Sequence, residues 1–159
     1  MDAELELSVV VPVHNERDNV ATLLQEIEAA LTPLGIAWEA VFVDDRSKDD
    51  SLAVLRSLQA AHPRLRVLAH QRQSGQSTAV RNGVKAARGL WIATLDGDGQ
   101  NDPADIPKLL QARAAGDPAV KLYAGWRVHR KDSGSKRWAS KIANAIRSRL
   151  LRDETPDTG

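Results

Sequence analysis

Short continuous runs of apolar residues recur along this chain and are separated by polar segments. Runs of this length, rich in β-branched residues, predict β-strands. The run at residues 7–12 is dominated by valine, and the run at residues 91–95 is also continuous, so each predicts a strand buried within a parallel sheet. The predicted strands cover residues 7–12, 38–43, 66–69, 91–95 and 120–126.

Between these runs the apolar residues recur every three or four positions, which is the spacing of an amphipathic helix. The first helix carries one apolar face, made of Val20, Leu23, Leu24, Ile27 and Leu31. Another opens after the polar loop at residues 73–77 and ends at Gly89, with Val80, Val84 and Ala87 expected inward. The first of these helices is predicted over residues 17–31. The remaining predicted helices cover residues 50–61, 104–115 and 135–151.

The alternation of strands and helices predicts an α/β fold with a mostly parallel sheet flanked by helices. A chain of 159 residues is long enough for one domain with a substantial core. In open parallel sheets, ligands bind beyond the carboxyl ends of the strands. Two acidic pairs follow predicted strands at such ends, Asp44 with Asp45 and Asp96 with Asp98.

Composition and charge narrow the possible functions. The chain has 22 basic and 21 acidic residues, a net charge of +1, which gives no reason to expect nucleic acid as a partner. The basic residues are unevenly distributed along the chain. Nine of the residues from position 127 to position 152 are Lys or Arg. The absence of cysteine excludes disulfides and thiolate metal sites. No apolar run is long enough to span a bilayer, and the acidic first residues predict no signal peptide.

The loop after the fourth strand offers oxygen ligands for a metal. The carboxylates of Asp96 and Asp98 and the side-chain carbonyl of Gln100 suit a hard divalent cation, Mg²⁺ or Mn²⁺. An EF-hand is excluded because its sixth position would be Asn101 and its twelfth Pro107. The alternative is an ordinary polar turn, which residues of these types also form.

Other nucleotide-binding folds do not match. A dinucleotide-binding domain needs G-x-G-x-x-G after the first strand, where this chain has the residues from Pro12 to Glu16. The chain also lacks a G-x-x-x-x-G-K-[ST] loop, which excludes P-loop chemistry. An aspartate-nucleophile phosphatase would carry its acidic pair after the first strand.

Four segments together resemble a known family. Residues 9–16 (VVVPVHNE), 43–47 (VDDRS), 71–79 (QRQSGQSTA) and 95–103 (LDGDGQNDP) resemble the inverting family 2 glycosyltransferases of GT-A fold. The third and fourth segments are most similar to the polyprenyl-phosphate sugar transferases, the dolichol-phosphate mannosyltransferase-like branch. Gln73 replaces the usual Asn, and Gly97 and Gly99 replace bulkier residues. The family normally continues beyond this length, so residues 1–159 are expected to be a single catalytic domain that is incomplete at its C-terminus.

The resemblance implies transfer of a sugar from a UDP- or GDP-sugar to a polyprenyl phosphate, undecaprenyl or dolichyl, with inversion. It implies that Asp96, Asp98 and Gln100 bind Mg²⁺ or Mn²⁺, and that Asp96 and Asp98 also meet the donor phosphates, with Asp98 as a catalytic residue. It places the protein at the cytoplasmic face of the membrane, in contact with the membrane surface. Two alternatives stay open: a non-catalytic nucleotide-sugar-binding module, and a basic peripheral membrane-binding module.

The resemblance also assigns residues to the nucleoside. Asp44 and Asp45 are expected to meet it, one of them accepting a hydrogen bond from the base, although either could instead cap the following helix. The remaining donor-binding residues are expected to be Pro12, His14, Glu16 and Gln76.

For the acceptor, the resemblance implies positive charge beside the lipid phosphate. Arg127 is the first candidate, and Arg130, Arg137 and Lys141 are further ones. The alternative is that these basic residues only form a solvated face of a helix and bind no phosphate. Asp157 matches a family aspartate that points into the site. His62, His70 and His129 lack ligand spacing and are interpreted as surface residues.

Overall fold

The computed structural model describes residues 4–125, and its centre is a sheet of four parallel strands in the order β3-β2-β1-β4. The strands are β1 (Leu7–Val13), β2 (Trp38–Asp44), β3 (Leu65–Ala69) and β4 (Trp91–Thr94). The helices are α1 (Val20–Leu31), α2 (Ser51–Leu58), α3 (Gln76–Ala86) and α4 (Ile106–Ala115). Short 3-10 turns cover Thr32–Leu34 and Pro103–Asp105. The α/β prediction and the first four strands are therefore confirmed, with boundaries moved by one residue at most.

The register of the strands brings their carboxyl ends to one edge of the sheet. Val13 at the end of β1 pairs with Asp44 at the end of β2, and Asp44 pairs with Ala69 at the end of β3. On the other side, β4 pairs with the first half of β1, ending at Val10 and Thr94. Loops that leave β1, β2 and β4 therefore start close together.

The larger buried apolar cluster of the described residues lies on the α1 side of the sheet, and a smaller one, with Val10 and Ala79, lies on the α3 side. All five predicted apolar residues of α1 are buried in the larger cluster, together with Trp38 and Phe42 of β2. Every residue of β1 and β2 is buried, as expected for central parallel strands. Helix α1 begins at Val20 rather than residue 17, because residues 17–19 form a turn in which the amides of Asn19 and Val20 donate to the Glu16 carbonyl.

Helix α3 packs on β1 and β2 through small residues. Ala79 and Gly83 are its buried positions, and a Cβ on Gly83 would collide with Val10 and lie 3.0 Å from Val43 Cγ2. The prediction that Val84 points inward is wrong, because 37% of Val84 is exposed. The close approach of the backbone to the sheet selects the face with the smallest side chains.

The prediction that β4 is a buried strand is also wrong. Its residues alternate between half-buried and exposed, and 40% of Ile92 is exposed. Within residues 4–125, β4 pairs only with β1, so it lies at an edge of the described sheet. A continuous apolar run does not tell an edge strand from a central one.

A buried carboxylate joins three strands at the amino edge of the sheet. Glu39 of β2 is 2% exposed and accepts hydrogen bonds from Ser8 Oγ at 2.8 Å, Arg66 Nη1 at 2.9 Å and Arg88 Nη2 at 2.8 Å. Ser8 Oγ in turn accepts from the Gly89 amide at 2.8 Å. Burial alone would raise the pKa of Glu39, but the hydrogen bonds from Arg88, Arg66 and Ser8 outweigh it and lower the pKa to about 2.

Residues 111–125 belong to a unit separate from residues 1–110. The predicted fifth strand is not formed over residues 120–125, and Trp126 lies outside the described residues. Leu122 is 82% exposed, and a strand needs burial of its side chains and a partner for its backbone. The predicted helix at residues 135–151 also lies outside the described part. None of the helices that the structure describes has the length and apolarity needed to cross a membrane.

Candidate functional site

A cleft of about 280 Å³ opens at the carboxyl edge of the sheet. It lies where β1, β2 and β4 end, as the strand register requires. Seven of the residues predicted for the site line it, and the remaining two are a valine and a glycine next to them. The lining residues are Pro12, Val13, His14, Glu16, Asp45, Gln76, Asp96, Gly97 and Asp98.

The loops after β1 and β2 are joined by side-chain-to-backbone hydrogen bonds. The Asn15 amide donates to Ser47 Oγ at 3.0 Å, and the Lys48 amide donates back to Asn15 Oδ1 at 2.7 Å. One residue further, the Glu16 amide donates to Ser51 Oγ at 2.9 Å. These bonds hold together two segments that are more than 30 residues apart in sequence, next to the cleft residues His14, Glu16 and Asp45.

Asp45 lines the cleft, but its carboxylate is committed to the protein. Oδ1 is 2.7 Å from His70 Nδ1 and 2.8 Å from the Ser74 amide, and Oδ2 accepts from the Gly75 amide at 2.7 Å. Burial would raise the pKa of Asp45, but the bonds from His70, Ser74 and Gly75 outweigh it and lower the pKa. The backbone carbonyl of Asp45 lies 3.0 Å from His14 Nδ1. Asp45 therefore holds the loop before α3 beside the cleft.

Asp44 is placed differently from its neighbour. It is 1% exposed and is not among the lining residues, and its Oδ2 accepts from the Ser47 amide at 3.1 Å. Its Oδ1 has no hydrogen-bond partner among the residues described. Neither Asp44 nor Asp45 caps α2, whose N-cap is Asp50, so the alternative capping role is not observed for either. A buried carboxylate oxygen without a partner is costly and calls for a donor from elsewhere.

Asp96 and Asp98 line the cleft from the loop that follows β4. Asp96 Oδ1 accepts from Gln76 Nε2 at 2.7 Å, and Asp98 Oδ1 accepts from the Gln100 amide at 3.0 Å. Gly97 between them touches the end of β1, since a Cβ there would lie 2.5 Å from the Pro12 carbonyl oxygen. Glycine at this position therefore lets the acidic loop sit directly against β1.

The donor set of the cleft fits Mg²⁺ or Mn²⁺. Within residues 4–125, no three His, Cys, Asp or Glu side chains cluster as a complete metal site. A cation of this kind usually takes only one or two carboxylates from the protein and completes its shell with water and substrate phosphates. Asp96 and Asp98 supply such a pair. Gln100, predicted as a third ligand, is exposed and is not among the residues lining the cleft.

Two histidines predicted at the surface are instead partly buried and bonded to carboxylates, and one of them, His70, supports the site. His70, predicted to lie at the surface, is 13% exposed and is wedged between Asp45 and Asn82, whose Nδ2 lies 2.9 Å from His70 Nε2. His62, also expected at the surface, is half-buried and pairs with Glu28 at 2.8 Å. The spacing of histidines along the sequence does not indicate such partners, because the paired residues are distant in sequence and come into contact only in the folded chain. Arg127, Arg130, Arg137, Lys141, Asp157 and His129 lie outside the described residues.

Comparison with known proteins identifies the family. The sequence profile described as Glycosyl transferase family 2 matches residues 8–158, which is nearly the whole chain. The chain belongs to glycosyl transferase family 2. The resemblance found in the strand-end motifs is thereby confirmed, and the cleft lies in the part of the chain that this profile covers.

Curated relatives in the family include polyprenyl-phosphate sugar transferases. Dodecaprenyl-phosphate galacturonate synthase from Rhizobium johnstonii is 41% identical over 129 residues, which are 80% of this chain and 38% of the relative. Undecaprenyl-phosphate 4-deoxy-4-formamido-L-arabinose transferase from Edwardsiella ictaluri is 37% identical over 155 residues, 96% of this chain and 46% of the relative. The chain thus spans less than half the length of these two relatives.

A solved structure supports the fold assignment. Glucosyl-3-phosphoglycerate synthase from Mycobacterium tuberculosis, solved in complex with Mn²⁺, UDP and phosphoglyceric acid, matches with a TM-score of 0.68. The match covers 93% of this family 2 chain and 50% of the synthase, at 18% sequence identity. The chain has the GT-A glycosyltransferase fold, as predicted.

Proposed function

We propose that this family 2 domain transfers a sugar from a nucleotide-sugar donor to a polyprenyl phosphate, with inversion and with the help of a divalent cation. The observation that carries the proposal is the convergence of Asp96, Asp98, His14 and Glu16 on one cleft at the carboxyl edge of the sheet. The two curated relatives, whose names specify sugar transfer to polyprenyl phosphates, support this acceptor class.

Asp96 and Asp98 would hold Mg²⁺ or Mn²⁺ together with the donor diphosphate. When bound, the cation neutralises the charge that develops on the nucleoside diphosphate as it leaves. Asp98 is the more exposed of the two carboxylates, and we assign it as the catalytic residue nearest the reacting phosphate. Gln100 stays a proposed third ligand.

The nucleoside would bind against the wall formed by Pro12, His14 and Glu16. Of the two aspartates at the end of β2, we assign Asp44 as the acceptor of the base N–H, because its buried Oδ1 makes no bond within the described structure. Asp45 lines the cleft, but its carboxylate already accepts three hydrogen bonds, so it would position the loop before α3 beside the nucleoside.

The acceptor brings a second phosphate to the same place. A phosphate oxygen is anionic near neutral pH, so its attack on the anomeric carbon needs no strong general base. It needs cationic groups that hold it beside the donor diphosphate. We propose Arg127 for this role and Asp157 as a further catalytic residue, both in the stretch beyond the described residues. The basic segment 127–152 would meet the anionic membrane surface at the cytoplasmic face.

A thermal-shift panel of UDP- and GDP-sugars, with and without Mn²⁺ or Mg²⁺, tests donor binding, because a ligand of the folded state raises the melting temperature. We expect one nucleotide sugar to stabilise the domain only when a cation is present. Transfer to undecaprenyl phosphate is then measured with that donor. Binding without transfer would favour a non-catalytic binding module. Binding to anionic vesicles without any nucleotide-sugar effect would favour the peripheral module and contradict the proposal.

A further inference from the structure

We infer that His70 is a positioning residue for the acidic loop of the cleft. Held by Asn82, it fixes Asp45, and Asp45 in turn holds the segment that brings Gln76 to Asp96. The inference deepens the proposed function. It rests on that function in one respect, namely that Asp96 binds a cation. It concerns residues for which the sequence motifs predict no such link.

The first part of the relay is a chain of three side chains. Asn82 Nδ2 lies 2.9 Å from His70 Nε2, and His70 Nδ1 lies 2.7 Å from Asp45 Oδ1. One neutral tautomer satisfies both contacts: the Asn82 amide donates to Nε2, and the proton on Nδ1 is donated to the carboxylate. The side chains of His70 and Asp45 are 13% and 4% exposed, so little water competes for these bonds.

The second part runs from Asp45 into the backbone of the loop before α3. The amides of Ser74 and Gly75 donate to the two carboxylate oxygens at 2.8 and 2.7 Å. Gly75 has φ 89° and ψ 157°, a region open essentially to glycine alone. That conformation is unfavourable for other residues. The path of the loop therefore depends on Gly75 and on the Asp45 carboxylate that accepts a hydrogen bond from its amide.

The last part leads from this loop to the loop that follows β4. Helix α3 begins at Gln76, the residue after Gly75, and Gln76 Nε2 donates to Asp96 Oδ1 at 2.7 Å. Partners that hydrogen-bond to a ligand carboxylate orient it, and losing them typically weakens metal binding about 10- to 100-fold. The position of Gln76 is set by the residue that precedes it, so a shift of the anchored loop would reach Asp96.

The test compares His70→Leu with His70→Asn and with a control histidine. Leucine removes the donor to Asp45, whereas asparagine can present an amide N–H near the position of Nδ1. The control is His62→Leu, since His62 is also partly buried and bonded to a carboxylate, Glu28 Oε1 at 2.8 Å, but Glu28, unlike Asp45, does not line the cleft. Two quantities are measured: hydrogen exchange of the Ser74 and Gly75 amides without metal, and Mn²⁺ affinity from the electron paramagnetic resonance signal of free Mn²⁺.

We expect His70→Leu to accelerate exchange of both amides and to weaken Mn²⁺ binding by about tenfold or more. His70→Asn should return both quantities towards the wild-type values. His62→Leu should lower the melting temperature and leave both unchanged. If His70→Leu does not fold, Asn82→Ala replaces it, with the same direction expected and a smaller size.

Three results would overturn the inference. The first is wild-type amide exchange and wild-type Mn²⁺ affinity in folded His70→Leu or in its substitute. The second is an equal loss in His62→Leu, which would mean that general destabilisation causes the effect. The third is faster exchange with unchanged Mn²⁺ affinity, which would show that the loop does not position Asp96. A wild-type protein that binds no Mn²⁺ while its amides respond to His70→Leu would instead contradict the proposed function.

Discussion

Glu39 and Arg88 meet at the end of the sheet opposite the cleft, 49 residues apart in sequence. Oε2 of Glu39 accepts from Arg88 Nε at 3.0 Å and from Nη2 at 2.8 Å, and Oε1 accepts from the Arg88 amide at 2.8 Å. The pair ties the second residue of β2 to the turn that precedes β4. The strand that leads into Asp96 is thus anchored at its start by a buried charge.

Removing this carboxylate should destabilise the fold strongly. We expect Glu39→Ala to lower the free energy of unfolding by about 3–5 kcal/mol, because Arg66 and Ser8 also lose their partner. Glu39→Gln keeps an acceptor and should cost about 1.5–3 kcal/mol. Urea unfolding measures both, with Glu26→Ala as the exposed control, expected within about 0.5 kcal/mol of the wild type. A Glu39→Ala protein as stable as the control would contradict the structural role.

The same carboxylate predicts a dependence of stability on acid. The pKa of Glu39 is about 2 in the fold against an ordinary value of 4.5, so the unfolded chain binds its proton first as the pH falls. Its contribution is fully present above about pH 5 and is lost as the pH falls from there towards 2. The stability difference between the wild type and Glu39→Gln, from urea unfolding at each pH, should shrink over this range. A difference that stays constant would count against the pKa assignment.

Two residues with positive φ in the cleft loops should respond in opposite ways to glycine. Arg46 has φ 59° and makes no hydrogen bond or ion pair within residues 4–125 that would offset this conformation. Arg46→Gly should raise stability by up to about 1 kcal/mol. Asn15 has φ 58°, but its Oδ1 accepts from the Lys48 amide, so Asn15→Gly should lose about 0.5–1.5 kcal/mol. Thermal unfolding compares the two, and a destabilised Arg46→Gly would show that its side chain has a stabilising contact.

Replacing Asp98 tests whether metal-dependent nucleotide binding passes through this carboxylate. Asp98→Asn should keep the fold, since the residue is exposed and asparagine can still accept from the Gln100 amide. The variant should lose most of the Mn²⁺-dependent part of its affinity for the nucleotide sugar, measured by calorimetry with and without Mn²⁺. Asp18→Asn, another exposed aspartate, is the control and should behave as the wild type. Unchanged metal dependence in Asp98→Asn would refute the assignment of this ligand.

Arg127 and Arg149 distinguish a specific phosphate contact from a diffuse basic surface. If Arg127 holds the lipid phosphate, Arg127→Ala should slow transfer by about ten- to a hundredfold, the equivalent of about 1.5–3 kcal/mol, with donor affinity retained. Arg149 lies further along the basic segment 127–152 and is expected on a solvated face, so Arg149→Ala should have a much smaller effect, which added salt should reduce further. Transfer rates and donor affinities of the two variants are compared directly. Equal losses would mean that the segment attracts the membrane as a whole.

The sequence by itself determined the order of the elements and the edge at which the site lies. The apolar runs at β1 and β2 and the helical spacing of the α1 residues indicate which local conformation buries apolar side chains, because periodicity is a property of neighbouring residues. The acidic pairs after β2 and β4 could be placed at one edge since parallel strands share their carboxyl ends. Four motifs in the right order then sufficed to indicate the family.

Only the tertiary structure decided how adjacent residues of the same type divide their roles. Asp44 and Asp45 look equivalent in sequence, yet within residues 4–125 one has a buried oxygen without a hydrogen-bond partner and the other is bonded to His70, Ser74 and Gly75. These partners lie 25 to 30 residues away, and they meet Asp45 only because of the register of β2 with β3 and the path of the loop before α3.

The same reason explains the predictions that were wrong. The edge position of β4 depends on which strands pair, and the exposure of Val84 depends on how closely α3 approaches Val10 and Val43 through Gly83. Hydrophobic pattern records that a residue can be buried, whereas burial itself requires a partner surface. The surface that buries a side chain and the group that hydrogen-bonds to it both come from distant segments of the chain. These segments come into contact only when the sheet forms.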